Sequence, residues 1–145
     1  MTNTTSTIPP SHTLDRSSNL SRSAVWVGRV LSTIATLFLL FDCTIKILRM
    51  PAAVEGTVKV GYPAGVVAPI GFILLACLVV YVIPRTAPLG AVLLTGYLGG
   101  AVATNVRVGA PMLTFVLAPV YVAVLIWGGL WLRDARVRNI LASRR

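Results

Sequence analysis

Three stretches of this chain, residues 64–83, 88–106 and 112–132, pass without a single charged side chain. Each approaches the roughly 20 residues that an α-helix needs to cross about 30 Å of hydrocarbon. A fourth candidate, residues 24–48, has an uncharged centre between Arg29 and Asp42, with Lys46 close behind. Snorkelling can place Arg29 and Lys46 near opposite interfaces. The sequence therefore predicts an all-α integral membrane bundle of four transmembrane helices over residues 24–48, 64–83, 88–106 and 112–132.

Composition agrees with a lipid solvent. Only 12% of the 145 residues are charged and 56% are hydrophobic, whereas a soluble domain carries about 25% charged residues. Residues 1–23, rich in Ser, Thr, Asn and Pro, read as a disordered polar leader, and residues 133–145 as a basic tail. The leader is not a cleavable signal peptide, because the apolar run that follows starts late and ends in Asp42. The short links near residues 84–87 and 107–111 make consecutive helices antiparallel neighbours, while residues 49–63 are long enough to hold local structure.

The formal charge of +9 could point to nucleic acid or to an anionic membrane surface. Its placement favours the membrane, since nearly every cation lies in a short link or a tail. Nine of them (Arg16, Arg22, Arg29, Arg85, Arg133, Arg136, Arg138, Arg144 and Arg145) fall on one side, and Lys46, Arg49, Lys59 and Arg107 fall on the other. The positive-inside rule then puts both termini in the cytoplasm of a multi-pass protein, with the bacterial inner membrane as the expected location. Trp26, Tyr62, Tyr81 and Trp131 are expected at the two interfaces as aromatic belts.

Candidate chemistry concentrates in two stripes. Gly28, Ser32, Ala35, Leu39, Asp42, Lys46 and Arg49 recur at steps of three and four, so a small and polar face of the first span should turn toward the other helices. Asp42 stacks under Lys46 in the favourable order, and an intramembrane carboxylate is a functional candidate by default. The pair could equally neutralise itself and fix helix orientation. In the third span Tyr97, Gly100, Thr104 and Arg107 form a second stripe, and the parallel direction of spans one and three brings Asp42, Lys46, Asn105 and Arg107 to one extracytoplasmic face. The link bearing Glu55, Lys59, Gly61, Tyr62 and Pro63 should lie over that mouth. Such a cavity could hold an anionic or quinone-like ligand, or serve only as a hydrogen-bond network that specifies packing.

Other features read as structural. Gly96 with Gly100, and Gly99 with Ala103, are small-xxx-small pairs expected to let helices approach closely. Pro69 and Pro119 fall inside spans two and four, where they would kink the helix. Cys43 and Cys77 should differ in depth by on the order of 15 Å, too far for a disulfide. The lone histidine, His12, lies in the leader, so no zinc site is expected.

The run Leu39-Leu40-Phe41-Asp42 with Lys46, then Gly61-Tyr62-Pro63, then Ile83-Pro84, and above all residues 89–104 followed by Arg107, resembles the DoxX-like membrane proteins. The resemblance spans about residues 25–132. It implies a four-helix membrane bundle with no intrinsic cofactor motif. Because the family name descends from relatives associated with thiosulfate and quinone oxidoreduction, it also implies a redox-associated, quinone- or sulfur-linked role around Asp42, Lys46, Tyr97 and Arg107, with a quinone or a small sulfur species as the ligand. Members commonly carry histidine where this chain has Asn105, which can hydrogen-bond but cannot take up a proton near neutral pH. A redox-associated subunit and a noncatalytic interaction or assembly protein both remain open. The expected partners are the bilayer and other membrane or redox proteins, a homo-oligomer is compatible, and nucleic acid is not expected. Whether the protein is an enzyme is left open.

Overall fold

A computed structural model describes residues 22–134 and residue 137. The elements run α1 (Arg22–Ile47), α2 (Pro51–Lys59), a 3-10 turn (Ala64–Val66), α3 (Val67–Val82), α4 (Ala87–Arg107), a π-helical turn (Met112–Val116) and α5 (Ala118–Arg133). No strand occurs among the described residues. Four helical segments, Arg22–Ile47, Ala64–Val82, Ala87–Arg107 and Met112–Arg133, are long and apolar enough to cross a membrane. All but the last two residues of the predicted leader, and most of the predicted tail, lie outside the described residues. Arg22 and Ser23 already belong to α1.

The spans close into a ring in which α1 packs on α3 and α5, and α4 packs on the same two helices. Helices α1 and α4 therefore stand diagonally opposite and run in the same direction. The inward face of α1 is Gly28, Ser32, Ala35, Leu39 and Cys43; its first four residues follow the stripe that the sequence periodicity indicated, whereas beyond Leu39 Cys43 is buried, Asp42 and Lys46 are half-buried and Arg49 is exposed. Ala35, Leu39, Leu74, Tyr81, Ala91, Leu94, Ile126 and Leu130 form the centre of the core. Most of the exterior is also apolar, with Trp26, Phe41, Leu113 and Val124 exposed, as a lipid-facing surface requires.

The helix ends follow from local chemistry. Arg49, Gly61 and Gly109 have positive φ, and each closes a Schellman motif. Met50 N–H donates to Ile45 O at 3.0 Å, Tyr62 N–H to Thr57 O at 3.2 Å and Ala110 N–H to Asn105 O at 3.0 Å. All three motifs sit at the end of the bundle that carries α2, hereafter the α2 end. At the opposite, Pro84 end, Ile83 is extended ahead of Pro84 and stops α3. Thr86 Oγ1 donates to Val80 O there at 2.8 Å.

Two expectations about individual residues are corrected. Tyr81 does not sit in an aromatic belt; it is 1% exposed, and its hydroxyl contacts Ser32 Oγ and Ile126 O, both at 3.2 Å. Position near the end of a span sets depth, whereas rotation about the helix axis decides what a side chain faces. Pro69 and Pro119 do not interrupt helices midway, because α3 begins at Val67 and α5 at Ala118. Both rings occupy the first turn, where a missing N–H is tolerated. The π-helical turn and Leu117 take up the break in span four.

Candidate functional site

The Lys46 side chain leaves α1 one residue before its last, and Cα–Cβ bonds tilt toward a helix N-terminus. The ammonium is thereby carried back into the bundle, where it pairs with Asp42 Oδ2. It also lies 3.3 Å from the Tyr97 hydroxyl across the ring and 5.9 Å from the centre of that phenol ring, at the outer limit of a cation–π contact. Lys46 thus bridges the diagonal between α1 and α4. Snorkelling outward is replaced by these two inward contacts. Gly71 of α3 helps to set the position: a Cβ there would come within 3.0 Å of the Lys46 Cβ, so α3 lies flush against the end of α1.

Beside the pair lies a cavity of about 390 Å³, within the range of sites for small ligands. Its polar wall is Lys46, Thr57, Tyr62, Tyr97, Thr104 and Asn105, and its apolar wall includes Val60, Ile70, Ile73 and Ala101. Gly96 and Gly100 complete it. No atom lies within 4 Å of where a Cβ would stand at Gly96, Gly99 or Gly100. The close packing expected of these glycines is therefore absent among the described residues. A small-xxx-small pattern permits approach, but a facing helix must use it, and at Gly96 and Gly100 the space is left open to the cavity.

Helix α2 roofs this end. Thr57 is buried and donates to Ala53 O at 2.7 Å. Thr104 spends its hydrogen on Gly100 O at 2.8 Å, so in the 3.4 Å contact between Tyr62 and Thr104 the tyrosine donates. Arg107 Nη2 donates to Val60 O at 3.0 Å, holding the end of α4 to the last carbonyls of α2. Asn105 Nδ2 donates to Ala101 O at 2.9 Å. The structure thus brings Asp42, Lys46 and Tyr97 into one network and places Thr104 and Asn105 in the cavity wall. Arg107 stands at the rim as a strap, while Glu55 and Lys59 are exposed.

The contributions of Thr57, Val60, Ile70 and Ile73 were not foreseen. Pro51 and Gly61, standing at the two ends of α2, were the available signal for a short helix. Cys43 is buried and Cys77 half-buried, and both are free thiols; Cys43 Sγ lies 3.1 Å from Leu40 O. Among the described residues no group of His, Cys, Asp and Glu could hold a metal ion.

A family model for DoxX-like proteins matches residues 30–129. The chain belongs to the DoxX-like family. The match takes in α1 from its third turn onward, the roof helix and all but the last turn of α5, so every residue of the Lys46 network in this DoxX-like protein lies inside it. No curated protein and no solved structure gave a match.

Proposed function

We propose that this DoxX-like protein is a redox-associated membrane subunit that binds a quinone or a comparably small carbonyl-bearing ligand beside Lys46 and Tyr97. The observation that carries the reading is the convergence of two donors on a cavity with an apolar wall. Of the three hydrogens on the Lys46 ammonium, one engages Asp42 and one points to Tyr97, leaving a third. Because the Tyr97 hydroxyl accepts from Lys46, its own hydrogen is available for an acceptor. A ring carbonyl would take both, with Ile70 and Ile73 against the ring. The exposed flank at Ile73, Gly96 and Gly100 gives a membrane-soluble ligand a route from the lipid side. Asp42 is a positioning residue in this scheme, fixing the ammonium and balancing its charge. The excess of cations on the other side supports an extracytoplasmic mouth for the cavity under the positive-inside rule.

The test is titration of the full chain in lipid nanodiscs with a short-tailed benzoquinone, followed by calorimetry. A hydrogen bond from a charged donor is worth about 1.5–3 kcal/mol, so Lys46→Met should weaken binding by roughly tenfold or more. Tyr97→Phe should cost a few-fold. No saturable binding at micromolar quinone, or equal affinity in a folded Lys46→Met protein, would overturn the reading. A noncatalytic assembly role draws on a different observation, that Thr104, Asn105 and Arg107 each spend a bond on a backbone carbonyl. It requires those substitutions to change stability or partner recovery with quinone affinity untouched.

A further inference from the structure

The Pro84 end holds a second cavity, of about 230 Å³, lined by Arg29, Pro84, Ala87, Arg133 and Asp134. We propose that the crevice between Arg29 and Arg133 binds the phosphodiester headgroup of an anionic phospholipid.

Two guanidinium groups from the first and last spans meet here because of how α1 and α5 cross. A Cβ on Gly28 would stand 2.9 Å from the backbone nitrogen of Arg133, and one on Gly129 would stand 3.0 Å from Gly28 O. The glycines let the backbones touch, and Arg29, next to Gly28, and Arg133, one turn beyond Gly129, thereby come to line the same cavity. Arg133 is braced from beneath, with its guanidinium carbon 5.2 Å from the centre of the Tyr81 ring. Tyr81 is itself fixed by Ser32 and the Ile126 carbonyl. Stacking of this kind holds the planar fork of arginine in one orientation while leaving its edge N–H groups for an anion.

Depth and charge select the ligand. Pro84 lies in the short link between two spans and must sit at the membrane surface, so Arg29 and Arg133, which share its cavity, sit at headgroup level. Among the described residues the wall sets two arginines against Asp134, an excess of positive charge that suits an anion. Position at headgroup level favours a phosphodiester anchored in the lipid over free phosphate.

The experiment compares thermal unfolding of the full chain in mixed micelles containing phosphatidylglycerol, phosphatidylcholine or millimolar inorganic phosphate. Ligands that bind the folded state raise its melting temperature. Phosphatidylglycerol should raise the melting temperature by several degrees, phosphatidylcholine and inorganic phosphate by far less. Arg29→Gln with Arg133→Gln should abolish most of that shift, whereas Arg22→Gln, which removes an exposed cation outside the cavity, should keep it. If the double glutamine variant does not fold, Arg29→Lys with Arg133→Lys decides, since it keeps the charge and loses the fork; the shift should fall by at least half. Equal shifts from the two lipids, or a full shift in whichever double variant folds, overturn the proposal. An inorganic phosphate shift as large as that of phosphatidylglycerol overturns the lipid source.

Discussion

At the α2 end, Gly96, Gly99 and Gly100 have no neighbouring atom where a Cβ would stand; at the Pro84 end, Gly28, Gly90 and Gly129 are pressed against the backbone of another helix. The same residue type leaves space along the α2 half of α4 and eliminates it where α1 meets α5 and α3 meets α4; Gly71, flush against the end of α1, is the tight exception at the α2 end. Polar side chains divide in the same way. Tyr81 at the closed end is fully buried with two partners, while Tyr97 at the open end is half-buried and has Lys46 alone. In lipid, where no hydrophobic force drives helices together, close backbone contact and interhelical hydrogen bonds carry association. The Pro84 end relies on close backbone contact at Gly28, Gly90 and Gly129, whereas the α2 end relies more on side-chain bonds such as Lys46 to Tyr97 and Arg107 to Val60 around its cavity.

That contrast yields a ranked set of substitutions. The largest effect is expected from Gly129→Leu, whose Cβ would meet the Ser32 nitrogen and Gly28 oxygen of α1. Backbone cannot step aside, so a loss of about 3 kcal/mol or more is expected, seen as a failure to recover monodisperse protein. Gly99→Leu at the open end should purify normally, and equal behaviour of the two would break the comparison. Next comes Asp42→Ala, which strands the Lys46 ammonium. The partly exposed pair lies between surface and buried cases, so the cost is about 1–3 kcal/mol in detergent melts. Adding Lys46→Met should restore most of it. Tyr81→Phe should cost about 1 kcal/mol through its lost hydroxyl bonds, and Tyr97→Phe less, so a reversed order in unfolding titrations would contradict the assignment of the closed end. The smallest effect is Gly96→Ala with Gly100→Ala: each gains helix propensity of about 0.5–1 kcal/mol, so stability should hold or rise while ligand affinity falls as the cavity fills.

The four spans were legible because uncharged runs of membrane length admit few other solutions. The stacking of Asp42 under Lys46 was legible too, since helical spacing fixes which side chains share a face. What the sequence could not supply was the facing partner. Gly96 and Gly100 have the same spacing as many tight helix pairs, and only the arrangement of α3 and α2 leaves them lining a space. Gly28 and Gly129 drew no such attention individually, because they belong to spans at opposite ends of the chain. The inward turn of Lys46 depended on Tyr97 being within reach across the ring, and α2 was too short for hydrophobic periodicity to reveal.

The crossing of Gly28 over Gly129 has a consequence for how the protein comes to exist. The firmest seam joins the first span to the last, and the Tyr81 hydroxyl reaches a carbonyl on α5, the last span to be made. Until then Gly28 lacks the glycine it packs against, and Tyr81, which α3 already brings to Ser32, lacks the carbonyl that accepts its hydrogen. The four-span bundle can therefore close only after α5 has been made, and a nascent chain halted before residue 112 would leave the Gly28 seam of α1 unmatched.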